Sequence, residues 1–344
     1  MRDIPNNFYK LDIYGKSSKR PYNRGKSFSY HVLGFGGTDN RTFASHIGLQ
    51  RAIIGFGYGS GLTGVTNKIN SSGVVASDTG AVGTARQEIA AIGYGADLGI
   101  FRGGVVSGST KGMTNLVNNV GVVAADVAKV GTALQRQHGA RFGTGGKGVF
   151  ALGSVSNTVS AISNIVNNVG VVQNDTAAVS GVTARYEANA VRFGFEFAII
   201  RGGGPADSGT AKSMSNKISN TGVLAADVSG VGTAGQGGGG STFGTDGAAV
   251  FAFGSSTGTV YNSMNKVSNV GIVASDSSGA GTARYGLGSA GYGSDKGVFA
   301  FGSTGSYVNT KNLLNSSGTM GNDVTGVGTA RISSAGCDFS LSAN

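Results

Sequence analysis

The amino-acid sequence predicts an all-β fold built from six repeated units and arranged as a β-propeller. One motif, seen as Gly271 to Arg284, recurs along the chain, and the acidic residue that closes its apolar run appears six times, at intervals of 48, 49, 52, 49 and 47 residues. Glycine supplies 63 of the 344 residues, a content that is unfavourable in helices and typical of short strands joined by turns. A period of this length is typical of propellers and solenoids, whose units bury apolar surface against their neighbours.

Each unit of about 49 residues contains four apolar or β-rich segments separated by Gly, Asn, Asp and Ser. This is the pattern of a four-stranded antiparallel blade. The second segment is an apolar run ending in Gly, such as Val298 to Gly302. Because this run is apolar on both faces, we expect its strand to lie between two neighbouring sheets. The third segment, for example Asn262 to Asn269, also suits one helical turn, and we interpret it as a strand.

The chain ends in the beginning of a seventh unit. Residues 331–339 repeat the segment that follows the repeated Arg, and the pattern then stops. In a closed ring this last segment joins the sheet of the first unit and removes an open edge, whereas an open solenoid is expected to end in polar caps. We therefore predict a six-repeat propeller over residues 39–344, closed by its C-terminal strand.

The first 38 residues do not match the repeat and predict an extended N-terminal arm. Residues 1–41 carry eight Lys and Arg and three Asp, a net charge of +5, out of +10 for the whole chain. Bases alternate with aromatic residues, which suits docking on a partner through charge-assisted contacts and aromatic anchors. The alternative is an extension that packs on the repeats and has no partner. The residues expected to dock are Lys10, Tyr14, Lys16, Lys19, Arg20, Tyr22, Arg24, Lys26 and Phe28.

Within the units, the repeated acid and the repeated Arg are the candidate site residues. An Asp that follows a strand and precedes a turn commonly bonds nearby backbone amides, so we expect a structural role and not a row of cation sites. We expect the Arg to pair with backbone or acid groups between strands; Leu134 and Gly235 replace it in two units. The residues are Asp78, Asp126, Asp175, Asp227, Asp276 and Asp323, with Arg86, Arg185, Arg284 and Arg331.

Motifs for catalysis, metals and cofactors do not emerge from the sequence. The histidines His31, His46 and His138 lack metal-ligand spacing, Gly143 to Gly148 lacks the pattern of a phosphate-binding loop, and Gly55 to Gly59 lacks the third glycine of a dinucleotide loop. We expect no enzyme activity, no metal and no cofactor. The single cysteine excludes an internal disulfide. Without a long apolar run or a signal sequence, we expect no membrane insertion.

The unit resembles a kelch-type β-propeller repeat. An apolar strand ends in Gly-Gly, at residues 103–104 and 202–203, and a later strand ends in Asp, followed by a turn and an Arg; the Trp that normally follows the Asp is missing. Strings such as Val327 to Arg331 and Gly291 to Gly302 also resemble glycine-rich, propeller-like repeats of virion proteins in tailed bacteriophages. The resemblance covers residues 41–340. It implies a structural virion protein, made in the host cytoplasm and docked on a tail or head among other virion structural proteins, in a symmetric assembly.

Two other functions remain open at this point. A multivalent glycan-binding, lectin-like propeller would read host surface glycan through loops repeated once per unit. The 11 Tyr and 17 Phe of the chain supply stacking partners for sugars, although Trp is missing. Nucleic-acid binding through the basic arm is the weaker alternative, and its affinity would fall steeply with salt.

Overall fold

The computed structural model describes residues 50–205 and 210–340, which form strands, turns and irregular segments. The chain divides into two units, residues 1–45 and 46–344, and all described residues belong to the second. The prediction of an all-β fold is confirmed for this part of the chain. The nine residues expected to dock a partner lie outside the described residues, as do His31 and His46.

The described residues contain twenty-two strands. The first twelve are β1 (Arg51–Tyr58), β2 (Leu62–Ile69), β3 (Ala90–Tyr94), β4 (Leu98–Arg102), β5 (Val105–Val106), β6 (Ser109–Thr110), β7 (Thr114–Val117), β8 (His138–Phe142), β9 (Lys147–Ala151), β10 (Ser154–Val155), β11 (Thr158–Val159) and β12 (Ser163–Val166). The others are β13 (Asn189–Phe193), β14 (Phe197–Arg201), β15 (Ser215–Ile218), β16 (Gly239–Phe243), β17 (Ala248–Ser256), β18 (Thr259–Val267), β19 (Gly288–Tyr292), β20 (Lys296–Ala300), β21 (Lys311–Leu314) and β22 (Ala335–Phe339).

Most of these strands form six antiparallel sheets of three strands, one per repeat. Sheet 1 is β22-β1-β2, and sheets 2 to 6 are β3-β4-β7, β8-β9-β12, β13-β14-β15, β16-β17-β18 and β19-β20-β21. We call the three strands of each sheet its first, middle and third strand, in that order. In sheet 1, Ile53 of β1 pairs with Cys337 of β22, so the C-terminal segment lies in the sheet to which the sequence assigns the unfinished seventh unit.

The middle strands are the most buried because both of their faces pack against neighbouring sheets. In β20, Val298 and Phe299 are 0% exposed. Successive side chains of a strand point to opposite faces. Val298 accordingly belongs to a core cluster with Ile54 of sheet 1, whereas Phe299 packs in a cluster with Val250 of sheet 5. The expectation of doubly buried strands is confirmed, and the apolar core lies between sheets. The third segment is a strand, as interpreted from the sequence.

The fourth segment of each repeat is not a continuous strand, which corrects the expectation of four full strands. In the first repeat it meets the third strand at two isolated pairings, Thr66 with Thr79 and Ile69 with Val75. One side has an extra residue between these pairings, as in a bulge, and regular pairing is interrupted. A side chain bonds the backbone there, since Asn67 donates from Nδ2 to a carbonyl oxygen of the segment at 3.0 Å. The equivalent residues are Asn115, Asn164, Asn216, Asn265 and Asn312.

A circuit of backbone hydrogen bonds connects all six sheets just before their first strands. Each amide nitrogen donates to the carbonyl oxygen of the equivalent residue in the preceding sheet, and the sixth bond returns to the starting residue. All six residues have a positive φ between 52° and 66°. The bonds, of 2.6 to 3.2 Å, run from Glu88 to Ser333, Arg136 to Glu88, Glu187 to Arg136, Gly237 to Glu187, Gly286 to Gly237 and Ser333 to Gly286.

A second circuit joins the six sheets at the other end of the first strands. Its bonds measure 2.6 to 3.0 Å. Because both circuits return to their starting point, every sheet has a hydrogen-bonded neighbour on each side, including sheets 1 and 6. The bonds run from Gly95 to Gly146, Gly143 to Glu196, Gly194 to Gly247, Gly244 to Asp295, Gly293 to Gln50 and Ser340 to Asp97.

Candidate functional site at the seams between sheets

The six repeated Asp residues lie at the contacts between successive sheets, and we call each of these contacts a seam. The Asp126 carboxylate accepts hydrogen bonds from the amide and the hydroxyl of Thr84, at 3.0 and 2.6 Å, and from Nδ2 of Asn115 at 2.9 Å. Thr84 lies 42 residues earlier, in the loop that leaves the preceding repeat. The bonded amide therefore belongs to a neighbouring repeat and not to the local turn expected from the sequence. The other pairs are Asp78–Thr329, Asp175–Thr132, Asp227–Thr183, Asp276–Thr233 and Asp323–Thr282.

These hydrogen bonds favour the ionised form of the carboxylates. Burial by itself raises the pKa of Asp323, but the bonds from Thr282 and Asn312 and the charge of Arg284 lower it, and the resulting pKa is below the ordinary value of 3.8. The other five Asp residues shift in the same direction with equivalent partners. Each seam therefore holds a carboxylate that is negatively charged at neutral pH.

In four seams, the repeated Arg of the loop is buried beside this carboxylate. Arg86 donates to the carbonyl oxygens of Gly103 and Thr84 at 2.8 and 3.0 Å and to Oδ1 of Asn115 at 2.7 Å. Its guanidinium lies 3.8 Å from Asp126. These partners are both backbone and acid groups. The four loop arginines, Arg86, Arg185, Arg284 and Arg331, are all 0% exposed and lie 3.6 to 4.0 Å from their carboxylates.

Where Leu134 replaces the loop Arg, a strand Arg takes its place. Arg102 of β4 is 0% exposed and donates from Nη2 to the carbonyl oxygens of Val130 and Thr132, each at 3.2 Å. Val130 and Thr132 belong to the loop that leaves the second repeat. The guanidinium is therefore present at this seam although the sequence shows only the loss of an Arg.

At the seam beside Gly235, a strand Arg again takes the place of the missing loop Arg. Arg201 of β14 is 2% exposed and donates to the carbonyl oxygens of Val231 and Thr233 at 2.6 and 2.9 Å. In both cases the residue after the strand Arg is Gly, where the other repeats have a large apolar residue. The glycines are Gly103 and Gly202, and the large residues are Phe56, Leu152, Phe253 and Phe301.

The buried guanidinium groups stay protonated at neutral pH. Burial lowers the pKa of Arg86 to about 10, while the charge of Asp126 raises it. Burial lowers the pKa of the strand residue Arg102 to about 10 as well, against the charge of Asp175. Because a pKa near 10 is well above 7, loop and strand arginines bring the same positive charge to their seams.

A second kind of contact between sheets, which the sequence did not predict and which we call the aromatic seam, places a turn glycine of each sheet on an aromatic ring of the preceding sheet. At Gly271, which has a φ of +74°, an added Cβ would lie 2.6 Å from the ring of Phe193. The sequence signal is an aromatic residue at the end of every first strand, recurring with the repeat. The pairs, glycine first, are Gly73–Tyr292, Gly121–Phe339, Gly170–Tyr94, Gly222–Phe142, Gly271–Phe193 and Gly318–Phe243.

The turns that carry these glycines expose β-branched apolar side chains. Val270 and Ile272 flank Gly271 and are 61% and 65% exposed. Sheets 1 to 5 share this feature, whereas the sixth turn has Ser317 and Thr319 at the same positions. We call these side chains the apolar turn residues; they are Val74, Val120, Val122, Val169, Val171, Val223, Val270 and Ile272.

Within residues 50–205 and 210–340, no group of three His, Cys, Asp or Glu side chains could hold a metal ion. No helix in the same residues is long and apolar enough to cross a membrane. Cys337 is a buried free thiol, and burial raises its pKa. Comparison with protein-family models finds no match to the chain, and comparison with curated proteins finds none either.

Proposed function

We propose that the six sheets are the blades of a six-bladed, kelch-like β-propeller with an extended N-terminal arm. Two observations support this arrangement. The backbone hydrogen-bond circuits lead from the sixth sheet back to the first, and β22 shares a sheet with β1. Sharing one sheet between the two ends of the repeat region removes an open edge that would otherwise invite pairing with another chain.

The function that we propose for this propeller is that of a structural virion protein of a tailed bacteriophage. Residues 1–38 dock it on other virion structural proteins of the tail or head, within a symmetric assembly, and its exposed turns form a display face. The observation that carries the proposal is the repeated seam, in which Asp, Thr and a buried Arg join each sheet to the next. A body bonded in this way keeps its exposed turns in fixed relative positions, which favours preorganised binding.

The test replaces the full chain by one lacking residues 1–38 in infected cells. We expect purified particles to lose the protein, measured as its copy number by mass spectrometry, while circular dichroism shows an unchanged β-rich spectrum. Replacing Lys16, Lys19 and Arg20 by Glu should act in the same direction because it reverses the charge of the arm. Replacing Asn6 and Asn7 by Ser is the matched control. Normal copy numbers for the deletion variant would refute docking through the arm.

A multivalent glycan-binding propeller is the alternative. Tyr307 is 43% exposed and packs edge-on against Tyr58, with ring centroids 6.0 Å apart. An exposed aromatic face with a polar tip favours this alternative because it combines apolar contact with hydrogen bonding. If the arm deletion leaves the copy number of the protein in particles unchanged, the glycan-binding alternative is tested with the full-length protein on a glycan array. An array on which no glycan is bound would exclude this alternative.

A further inference from the structure

Sheet 2 differs from sheets 4 to 6 at two facing positions near the start of its third strand. In sheet 5 these two positions are Asn262 and Gly279. The two backbones lie so close that a Cβ added to Gly279 would be 1.7 Å from the Asn262 carbonyl oxygen. In sheet 2 the large and the small residue are exchanged between the two positions. Gly112 stands in place of the Asn, and Lys129 stands in place of the Gly; a Cβ on Gly112 would lie 2.9 Å from Cβ of Lys129.

A cavity of about 510 Å³ lies at this exchange. Its volume falls within the range of about 300–1,000 Å³ that is common for small-molecule sites. Lys111 and Lys129 are the basic residues of the lining, and Met113, Val127 and Ala133 are among its apolar residues. The cavity therefore combines cationic donors with an apolar wall.

The described residues leave the charge of these two lysines without a counter-ion. In the described part of the chain, neither Lys111 nor Lys129 makes a hydrogen bond or an ion pair through its ammonium group. One carboxylate, that of Asp126, also lines the cavity. It already accepts hydrogen bonds from Thr84 and lies 3.8 Å from the buried guanidinium of Arg86. The charge of Asp126 is thus balanced by Arg86, and the cavity keeps the positive charge of two lysines.

We propose that this cavity binds an acidic saccharide residue. The sugar carboxylate lies between the ammonium groups of Lys111 and Lys129, where charge-assisted hydrogen bonds form, and the C–H face of the sugar ring packs on the apolar wall. The choice of a saccharide rests on the proposed display function, whereas the anion site rests on the cavity and its lysines alone. Because the lysines are partly screened by solvent, the affinity of one site is weak, with a Kd of about 1 mM at low ionic strength.

The test is titration of the full-length protein with a galacturonic acid trimer, followed by NMR chemical-shift changes. The test variant combines Lys111→Ser with Lys129→Ala, since sheet 3 has Ser160 and sheet 1 has Ala81 at these positions. These residues occur naturally in the same fold, so the variant should melt like the parent. We expect its affinity for the trimer to fall at least tenfold. Lys212→Ser, at the position equivalent to Lys111 in sheet 4, is the matched control and should leave the affinity unchanged.

Three results would overturn the proposal. The first is that the parent protein does not bind the trimer, and the second is that the double variant binds it as tightly as the parent does. The third is that the neutral sugar maltotriose binds as tightly as the acidic trimer. Inorganic phosphate distinguishes the two possible sources of the anion. If phosphate binds as tightly as the trimer, the saccharide assignment is wrong. This titration is independent of the arm deletion, so a failure here leaves docking through residues 1–38 unaffected, and the reverse also holds.

Discussion

Four seams of the molecule take their guanidinium from the loop, and two take it from the middle strand of the sheet. The loop residue Arg86 reaches within 3.8 Å of its carboxylate. Among the described residues, neither Arg102 nor Arg201 has a carboxylate within 4.0 Å. All six arginines nevertheless donate to the carbonyl oxygen of the repeated Thr. The seam therefore requires a buried cationic donor at this carbonyl, and not an Arg at one sequence position.

The two arrangements differ in the residue that accompanies the Arg. Phe56 lies under the loop residue Arg86, whose guanidinium carbon is 4.4 Å from the ring centroid. Gly103 follows the strand residue Arg102, and a Cβ there would lie 2.3 Å from the Leu134 carbonyl oxygen. A buried charge is tolerated only when its donors find acceptors. A large apolar residue with a loop Arg, and Gly with a strand Arg, are therefore two ways to satisfy one requirement.

Removing a loop guanidinium should have the largest effect. Arg284→Leu removes the cationic partner of the ionised Asp323 and the donor to the carbonyl oxygens of Phe299 and Phe301. We expect the free energy of unfolding to fall by about 3–5 kcal/mol, measured by urea denaturation. Arg51→Leu changes an exposed Arg and serves as the control, with an expected change of about 0.5 kcal/mol or less.

The same variant provides the sharpest test of equivalence. Adding Ala252→Arg and Phe253→Gly to Arg284→Leu builds in sheet 5 the arrangement of sheet 2. Because the new guanidinium should reach the carbonyl oxygen of Thr282, we expect the triple variant to recover at least half of the lost stability. A triple variant no more stable than Arg284→Leu would mean that the two arrangements are not interchangeable.

In contrast to the Arg seams, the aromatic seam is built in the same way in all six sheets, with a turn glycine against an aromatic ring. Gly271→Ala places a Cβ against Phe193 at a φ of +74°, so backbone strain and overpacking add. We expect a loss of about 2–4 kcal/mol in thermal or urea unfolding. Gly258→Ala is the matched control, since its φ is +82° with nothing within 4 Å, and backbone strain alone should cost about 1–2 kcal/mol. Equal losses in the two variants would show that the contact with the ring is unimportant.

The smallest expected effect is on the pH dependence of stability. A carboxylate whose pKa is lowered on folding stabilises the protein above its unfolded pKa, and this contribution is lost as the pH falls through the folded pKa. The free energy of unfolding should therefore fall below about pH 4. Asp323→Asn should flatten this decline more than Asp276→Asn because only Asp323 has a guanidinium within 4.0 Å. Urea denaturation at a series of pH values measures both; identical profiles would remove the distinction between loop and strand seams.

The local sequence pattern was sufficient to predict the middle strands and the repeat. The apolar runs that became the middle strands and the six-fold recurrence can be read because burial of a strand on both faces demands consecutive apolar residues. The fourth segment could not be predicted correctly, since its apolar residues and closing Asp look like a strand. Its bonding to Asn67 is a side-chain contact that competes with the regular ladder.

The number of units, their all-β character and the positions of the middle strands thus follow from the sequence. Which groups meet at the seams depends on how the chain packs in three dimensions. Asp126 and Thr84 are 42 residues apart, and Asp78 and Thr329 are 251 apart. Arg102 replaces a missing Arg 32 residues later in the chain, because the loop packs over the strand and brings the Thr132 carbonyl oxygen to it. Hydrogen bonds depend on distance in space, and spacing along the chain does not show which side chains of neighbouring repeats come within that distance.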